Sequence, residues 1–172
     1  MYKFRNAEPR DLDVLLQMCR NFYASHNESV IIKFDDDSTY LSLQQMLEDE
    51  GGLIVVATEG EPVDPATIKK PEDWLAAIDY SEPIVGMVGF SYFRPPINLH
   101  IKAAREAMFW IEPEHRNSGL ARSMLSVANI GLKADDVTHV YLTALANSPE
   151  NVGQLYSAMG FTEVERSFVK EL

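Results

Sequence analysis

"EAMFWIEPEHRNSGLARSMLSVANIGLKA", residues 106–134, passes from an extended run through a polar turn straight into a helix, and the rest of the chain falls into order around it. Residues 106–112 are aromatic and apolar enough to read as a strand. From 119 to 134, Leu120, Met124, Leu125, Ala128 and Leu132 recur at helical spacing and form one apolar stripe. Pro113 closes the strand, and "RNSGLA", residues 116–121, leads into the helix. A helix start exposes backbone N–H groups and carries partial positive charge, so such a turn binds phosphate without a basic side chain. Gly119 permits close approach of the backbone and Ala121 is too small to block it, an arrangement that suits a pyrophosphate. The other phosphate-binding patterns, G-x-x-x-x-G-K-[ST] and G-x-G-x-x-G, do not occur. Read by itself, the turn also fits a plain helix cap in which Gly119 only eases the bend.

Upstream, residues 2–5 form a short strand. Leu12, Leu15, Leu16, Cys19, Phe22 and Tyr23 mark a first helix, with Pro9 just before it. A second helix is expected from Ser38, whose hydroxyl would cap it, to Gly51-Gly52. "LIVVAT" (53–58) and "IVGMVGFSYF" (84–93) are strands. Between them, residues 59–83 hold four prolines and many charges, an excursion from one domain rather than a second domain. Residues 74–78 in it read as a short helix covering a sheet edge. Downstream come a strand at "HVYLTA", a helix from Ser148 with Pro149 in its first turn and Gly160 at its end, and alternation in "FTEVERSFVKEL" that reads as a final strand. The order is strand, two helices, three strands, helix, strand, helix, strand: an α/β chain with a mixed sheet.

The totals restrict the function. With 172 residues, one domain with its own core is the expectation. A net charge of -11 argues against non-specific nucleic-acid binding and is compatible with a cationic partner, although an excess of acid also simply favours solubility. Asp35-Asp36-Asp37 reads as a solvated turn. Cys19 is the only cysteine, which excludes an internal disulfide and a multi-thiolate zinc site. No metal is expected. Nothing reads as a signal peptide or membrane span, so the cytoplasm is the expected compartment, and the Asn27-Glu28-Ser29 sequon is then a coincidence of letters.

A second pattern, "LYSAMGF" at residues 155–161, follows the first after one further strand and helix. Arg116, Gly119 and Ala121 resemble the CoA-binding motif Gln/Arg-x-x-Gly-x-Gly/Ala of the GNAT (acyl-CoA N-acyltransferase) family, and "LYSAMGF" is similar to the family's Leu-Tyr-x-x-x-Gly-Phe signature. The similarity covers residues 104–162; the N-terminal half agrees by order of elements. The resemblance implies a mixed central sheet with helices on both faces, and an N-acetyltransferase in which an amine attacks acetyl-CoA directly. It implies that the N–H groups of Arg116, Asn117, Ser118, Gly119, Leu120 and Ala121, with Arg122 nearby, hold the CoA pyrophosphate. Ile111, in the strand at 109–112, would align the pantetheine and offer an N–H to the thioester oxygen.

By the same resemblance Tyr156 donates a proton to the departing thiolate; the alternative is that its ring only packs beneath Phe161. Glu106, at the start of its strand, stands equally as a general base or a solvated strand-end charge. Glu112 and His115 are weaker candidates for the base. The family often places an asparagine where this chain has Pro149, and Asn147 or Asn151 could take over its contact with pantetheine. Gly153, in the middle of that helix, has no assigned role. The acceptor is an amine on a small molecule, a protein lysine or a protein N-terminus, and the excursion would help to choose it. A homodimer through the C-terminal strands is open. Two other readings stand beside the enzyme: a CoA-binding module without turnover, and an unrelated α/β protein with an anion site at a helix cap.

Overall fold

The computed structural model describes residues 1–25, 32–48, 51–60, 79–145, 148 and 151–170. The sequon, the helix expected at 74–78, residues 61–78 of the excursion, Asn147 and Pro149 therefore lie outside the described residues. Within them the chain runs β1 (Tyr2–Asn6), a 3-10 turn, α1 (Leu12–Ser25), α2 (Asp36–Met46), β2 (Gly52–Glu59), β3 (Ile84–Phe93) and β4 (Ala103–Ile111). A second 3-10 turn (Pro113–His115), α3 (Leu120–Ala134), β5 (His139–Tyr141) and α4 (Asn151–Ala158) follow.

The strands form one sheet in the order β1-β2-β3-β4-β5. The first four are antiparallel and β5 is parallel to β4, with α3 as the crossover that a parallel pair requires. Both faces are covered, which explains why "LIVVAT" reads as an unbroken apolar run. Leu53, Val55 and Ala57 face α3, while Ile54 and Val56 face α1 and α2. The apolar stripe of α3 is buried at all five expected positions.

Several local expectations are corrected. Asp35 caps α2, its Oδ1 accepting the Ser38 N–H at 2.8 Å, because a carboxylate complements a helix start better than a hydroxyl one turn further in. The acidic run is thus a helix start, with Asp36 paired to Arg20 at 2.7 Å. That helix ends at Met46, not at the glycines: the Leu47 N–H is shared between the Leu43 and Gln44 carbonyls, a tightening that ends the coil. β4 begins at Ala103, three residues early, so Glu106 is in mid-strand rather than at a strand end. β5 stops at Tyr141, because pairing with β4 ends at Arg105↔Tyr141. Residues 161–170 form no strand: no sheet edge receives them, and Val164 and Phe168 are exposed.

Candidate active site

A single extra residue in β4 shapes the site. Gly89 pairs with Met108 and Phe90 with Glu106, so Ala107 is a bulge, a device that bends a strand and re-aims its side chains. Beyond it β4 continues along β3, while β5 has already ended. Among the described residues no strand pairs with the outer edge of β4 from residue 106 onward. Across this gap the Thr143 N–H reaches the Glu106 carboxylate, not a backbone carbonyl, at 3.4 Å.

The direction of the groups on that edge follows from one bond. The Glu112 N–H donates to the Val85 carbonyl of β3 at 3.0 Å, so strand alternation turns the N–H and C=O of Ile111 the other way, towards the gap. Arg116 confirms the direction, because its Nε donates to the Ile111 carbonyl at 2.9 Å. Its guanidinium also lies 4.4 Å from the centroid of the Trp110 ring. The side chain of Arg116 is therefore a staple between the turn and the end of β4. Its main-chain N–H is engaged as well, donating to the Pro113 carbonyl at 3.3 Å.

Next to this edge begins α3. Asn117 and Gly119 both adopt left-handed backbone, φ 61° and 83°. Asparagine and glycine are the residues that tolerate it. Ser118 Oγ donates to the His115 carbonyl at 2.7 Å and accepts the Leu120 N–H at 3.4 Å. Leu120 thus already has a partner for its N–H, and its side chain is buried in the core. A Cβ placed on Gly119 would meet no atom within 4 Å, so the turn faces open space. Together with the first-turn N–H groups of α3, the turn forms a cradle of backbone donors of the kind that can take an anion. A groove of about 380 Å³ continues along α3 and is lined by Arg122, Lys133 and Met159 among others.

On the far side of the gap stands Tyr156. Its place is set by the end of α4: Gly160 at φ 89° lets the Phe161 N–H return to the Tyr156 carbonyl and the Gly160 N–H to Ser157, both at 3.0 Å, a Schellman ending. The rings of Tyr156 and Phe161 pack with centroids 6.2 Å apart. Ring packing and a polar contact coexist, since the Tyr156 hydroxyl lies 3.4 Å from both Glu106 Oε2 and the Thr143 carbonyl. Burial pushes the Glu106 carboxyl up to about 7, against the Thr143 N–H and the Tyr156 hydroxyl, which hold it down. Burial and then the Glu106 charge push the Tyr156 phenol well above its ordinary range.

The remaining candidates are dispersed. Asn151 opens α4 with its side chain exposed, and Glu112 follows the end of β4. His115 turns away from the gap: Nδ1 lies 3.1 Å from the Tyr2 hydroxyl and Nε2 3.9 Å from Glu59, at the opposite edge of the sheet. Thr143 is the site residue that sequence reasoning missed, because it contributes only main-chain atoms.

A family model described as an acetyltransferase (GNAT) domain matches residues 70–163, more than half of the chain. The chain belongs to the GNAT acetyltransferase family. As a GNAT protein it is an N-acetyltransferase with acetyl-CoA as its acyl donor. Among solved structures, the GNAT chain is similar to a predicted acetyltransferase from Clostridium acetobutylicum determined with acetyl-CoA, at TM-score 0.72 and 15% identity over 99% of this chain and 96% of that one. It is similar to a ribosomal-protein-alanine N-acetyltransferase from Brucella melitensis biovar Abortus 2308, at TM-score 0.66 and 17% identity over 99% of both chains. It also resembles AAC(6')-Iy in complex with the bisubstrate analogue CoA-S-monomethyl-acetylneamine, at TM-score 0.65 and 14% identity over 100% of this chain and 98% of that one. These likenesses carry the fold. Comparison with curated protein sequences finds no match. No helix among the described residues is long and apolar enough to cross a membrane.

Proposed function

We propose that this enzyme acetylates a primary amine by direct attack on the thioester, with Glu106 accepting the amine proton and Tyr156 protonating the departing sulfur. The observation that carries the reading is the 3.4 Å approach of the Tyr156 hydroxyl to Glu106 Oε2 inside the gap at the outer edge of β4. Acetyl-CoA supplies an activated acyl group whose C–S bond breaks as the new C–N bond forms. The N–H groups of Asn117, Ser118, Gly119 and Ala121, with Arg122 nearby, hold its pyrophosphate, and the Ile111 N–H faces the carbonyl oxygen where negative charge develops.

The two side chains form a closed proton circuit. Glu106, with a carboxyl near 7, is ionised in about half of the molecules at neutral pH and can accept a proton from nitrogen. Tyr156 keeps its proton until a sulfur anion appears beside it. Once the phenol has donated, the protonated Glu106 returns a proton to it across their contact. The proton lost by the amine thus ends on CoA, and both residues regain their starting state. The acceptor is an amine on a small molecule or on a protein lysine or N-terminus. Among similarly folded enzymes, one is a ribosomal-protein-alanine N-acetyltransferase and another is held in complex with the bisubstrate analogue CoA-S-monomethyl-acetylneamine.

A coupled thiol-release assay over a panel of amines tests this. Tyr156→Phe is expected to lower kcat about 100-fold, within the range for loss of a general acid, while acetyl-CoA binding persists. Unchanged kcat in that variant would remove Tyr156 from the chemistry. A protein that binds acetyl-CoA yet acetylates no amine would instead be a CoA-binding module.

A further inference from the structure

We propose that His115 is a positioning residue that, through Tyr2 and Glu59, pins the acyl-donor turn to the opposite edge of the sheet. The inference rests on the reading of residues 116–121 as the donor site. His115 closes the 3-10 turn that precedes this loop, and its side chain is only 13% exposed. Tyr2 and Glu59 are cross-strand partners at one end of the β1–β2 pair. The imidazole spans both: Nδ1 lies 3.1 Å from the Tyr2 hydroxyl and Nε2 lies 3.9 Å from Glu59 Oε2. The Tyr2 and His115 rings meet edge to face, with centroids 5.7 Å apart at 76°.

The main chain of the same residue carries the turn. The His115 carbonyl accepts the Ser118 hydroxyl at 2.7 Å, and Ser118 Oγ in turn accepts the Leu120 N–H at 3.4 Å. Fixing His115 therefore fixes Ser118 and the first residue of α3. Between them stand the two left-handed residues, Asn117 and Gly119. Asparagine and glycine adopt such backbone at little cost, so it does not by itself hold the turn in one shape. Arg116 secures the loop on the β4 side through Ile111, and His115 secures it on the β1–β2 side. The loop is held by two adjacent residues on opposite sides, and the N–H groups that follow them are aimed before any ligand arrives. Release of one side loosens the donor cradle while leaving Glu106 and Tyr156, at the other edge, in place.

The test is calorimetric titration of the full chain with acetyl-CoA, alongside steady-state kinetics. His115→Ala should raise the Kd and the KM for acetyl-CoA about tenfold, since small misplacements of binding groups are costly. Its kcat at saturating acetyl-CoA and the binding stoichiometry should stay near those of the parent. Tyr2→Phe, which deletes one hydroxyl and carries the test if the alanine variant does not fold, should weaken binding about fivefold. In His115→Asn the amide oxygen can accept from Tyr2, and most of the affinity should return. Unchanged affinity in His115→Ala and Tyr2→Phe overturns the proposal. So does a loss confined to stoichiometry, which marks a smaller folded fraction, and so does an asparagine variant no better than alanine. If the parent itself does not bind acetyl-CoA, the donor reading falls and the anchor with it.

Discussion

Glu106 and Tyr156 show how one contact sets two protonation states. Burial raises both groups, and each acts on the other in a definite direction. The carboxylate holds the phenol proton in place, while the phenol O–H stabilises the carboxylate. A base must be ionised to work, so kcat/KM for the amine should rise with pH through about 7 and level off above it. Glu106→Gln should remove that limb together with most of the activity, about 100-fold at pH 8. Tyr156→Phe should shift the surviving limb to higher pH, because the carboxylate loses a hydrogen bond that favours its charged form. A pH–rate profile of the three proteins distinguishes these outcomes, and a limb unmoved in Glu106→Gln would assign the base elsewhere.

Two glycines of the helices flanking the gap separate backbone conformation from space. A Cβ on Gly119 or on Gly153 would meet no atom within 4 Å. Gly119, at φ 83°, caps α3 in left-handed backbone, whereas Gly153 is inside α4. Gly119→Ala should therefore cost about 1–2 kcal/mol of stability and also weaken acetyl-CoA binding, since its methyl projects into the cradle. Gly153→Ala should stabilise by about 1 kcal/mol, the helical preference of alanine over glycine. Thermal unfolding of both variants checks the opposite signs. At this scale the sequence was most informative where a pattern is local. The stripe of α3 and the Gly160 ending of α4 are repeats and caps written in neighbouring residues. The bulge at Ala107 was not legible, because one extra residue in a strand changes neither its composition nor its alternation enough to be seen. Nor was the side-chain bond from Arg116 to Ile111, which depends on how the turn folds back on β4.

The whole molecule places two carboxylates in opposite electrostatic settings, and its stability should respond to pH accordingly. Tyr156 and Glu106 are 50 residues apart in the chain, and only the completed sheet brings them together, which is why the motifs suggested each one without the pair. Asp11, by contrast, forms a bidentate pair with Arg5 at 2.6 and 2.8 Å. Burial alone would raise its carboxyl, but the Arg5 guanidinium and the Glu8 N–H together bring it below the ordinary range. A lowered folded-state value means stability present above the unfolded value and lost as pH falls through the folded one. Asp11→Asn should cost about 3–5 kcal/mol, because it leaves Arg5 partly buried without its counter-charge. Glu106 has the reverse sign. The fold binds its proton more tightly than the unfolded chain does, so the penalty for ionising it is absent below 4.5, the ordinary value, and complete above about 7. Glu106→Gln should therefore unfold at higher urea than the parent at pH 8, by on the order of 1–3 kcal/mol, with the difference vanishing by pH 4. In the proposed mechanism the desolvation that weakens the structure is also what would bring the base to neutral pH. Equal urea midpoints at pH 8 would mean that Glu106 is solvated in the folded protein, and the proton circuit with Tyr156 would lose its basis.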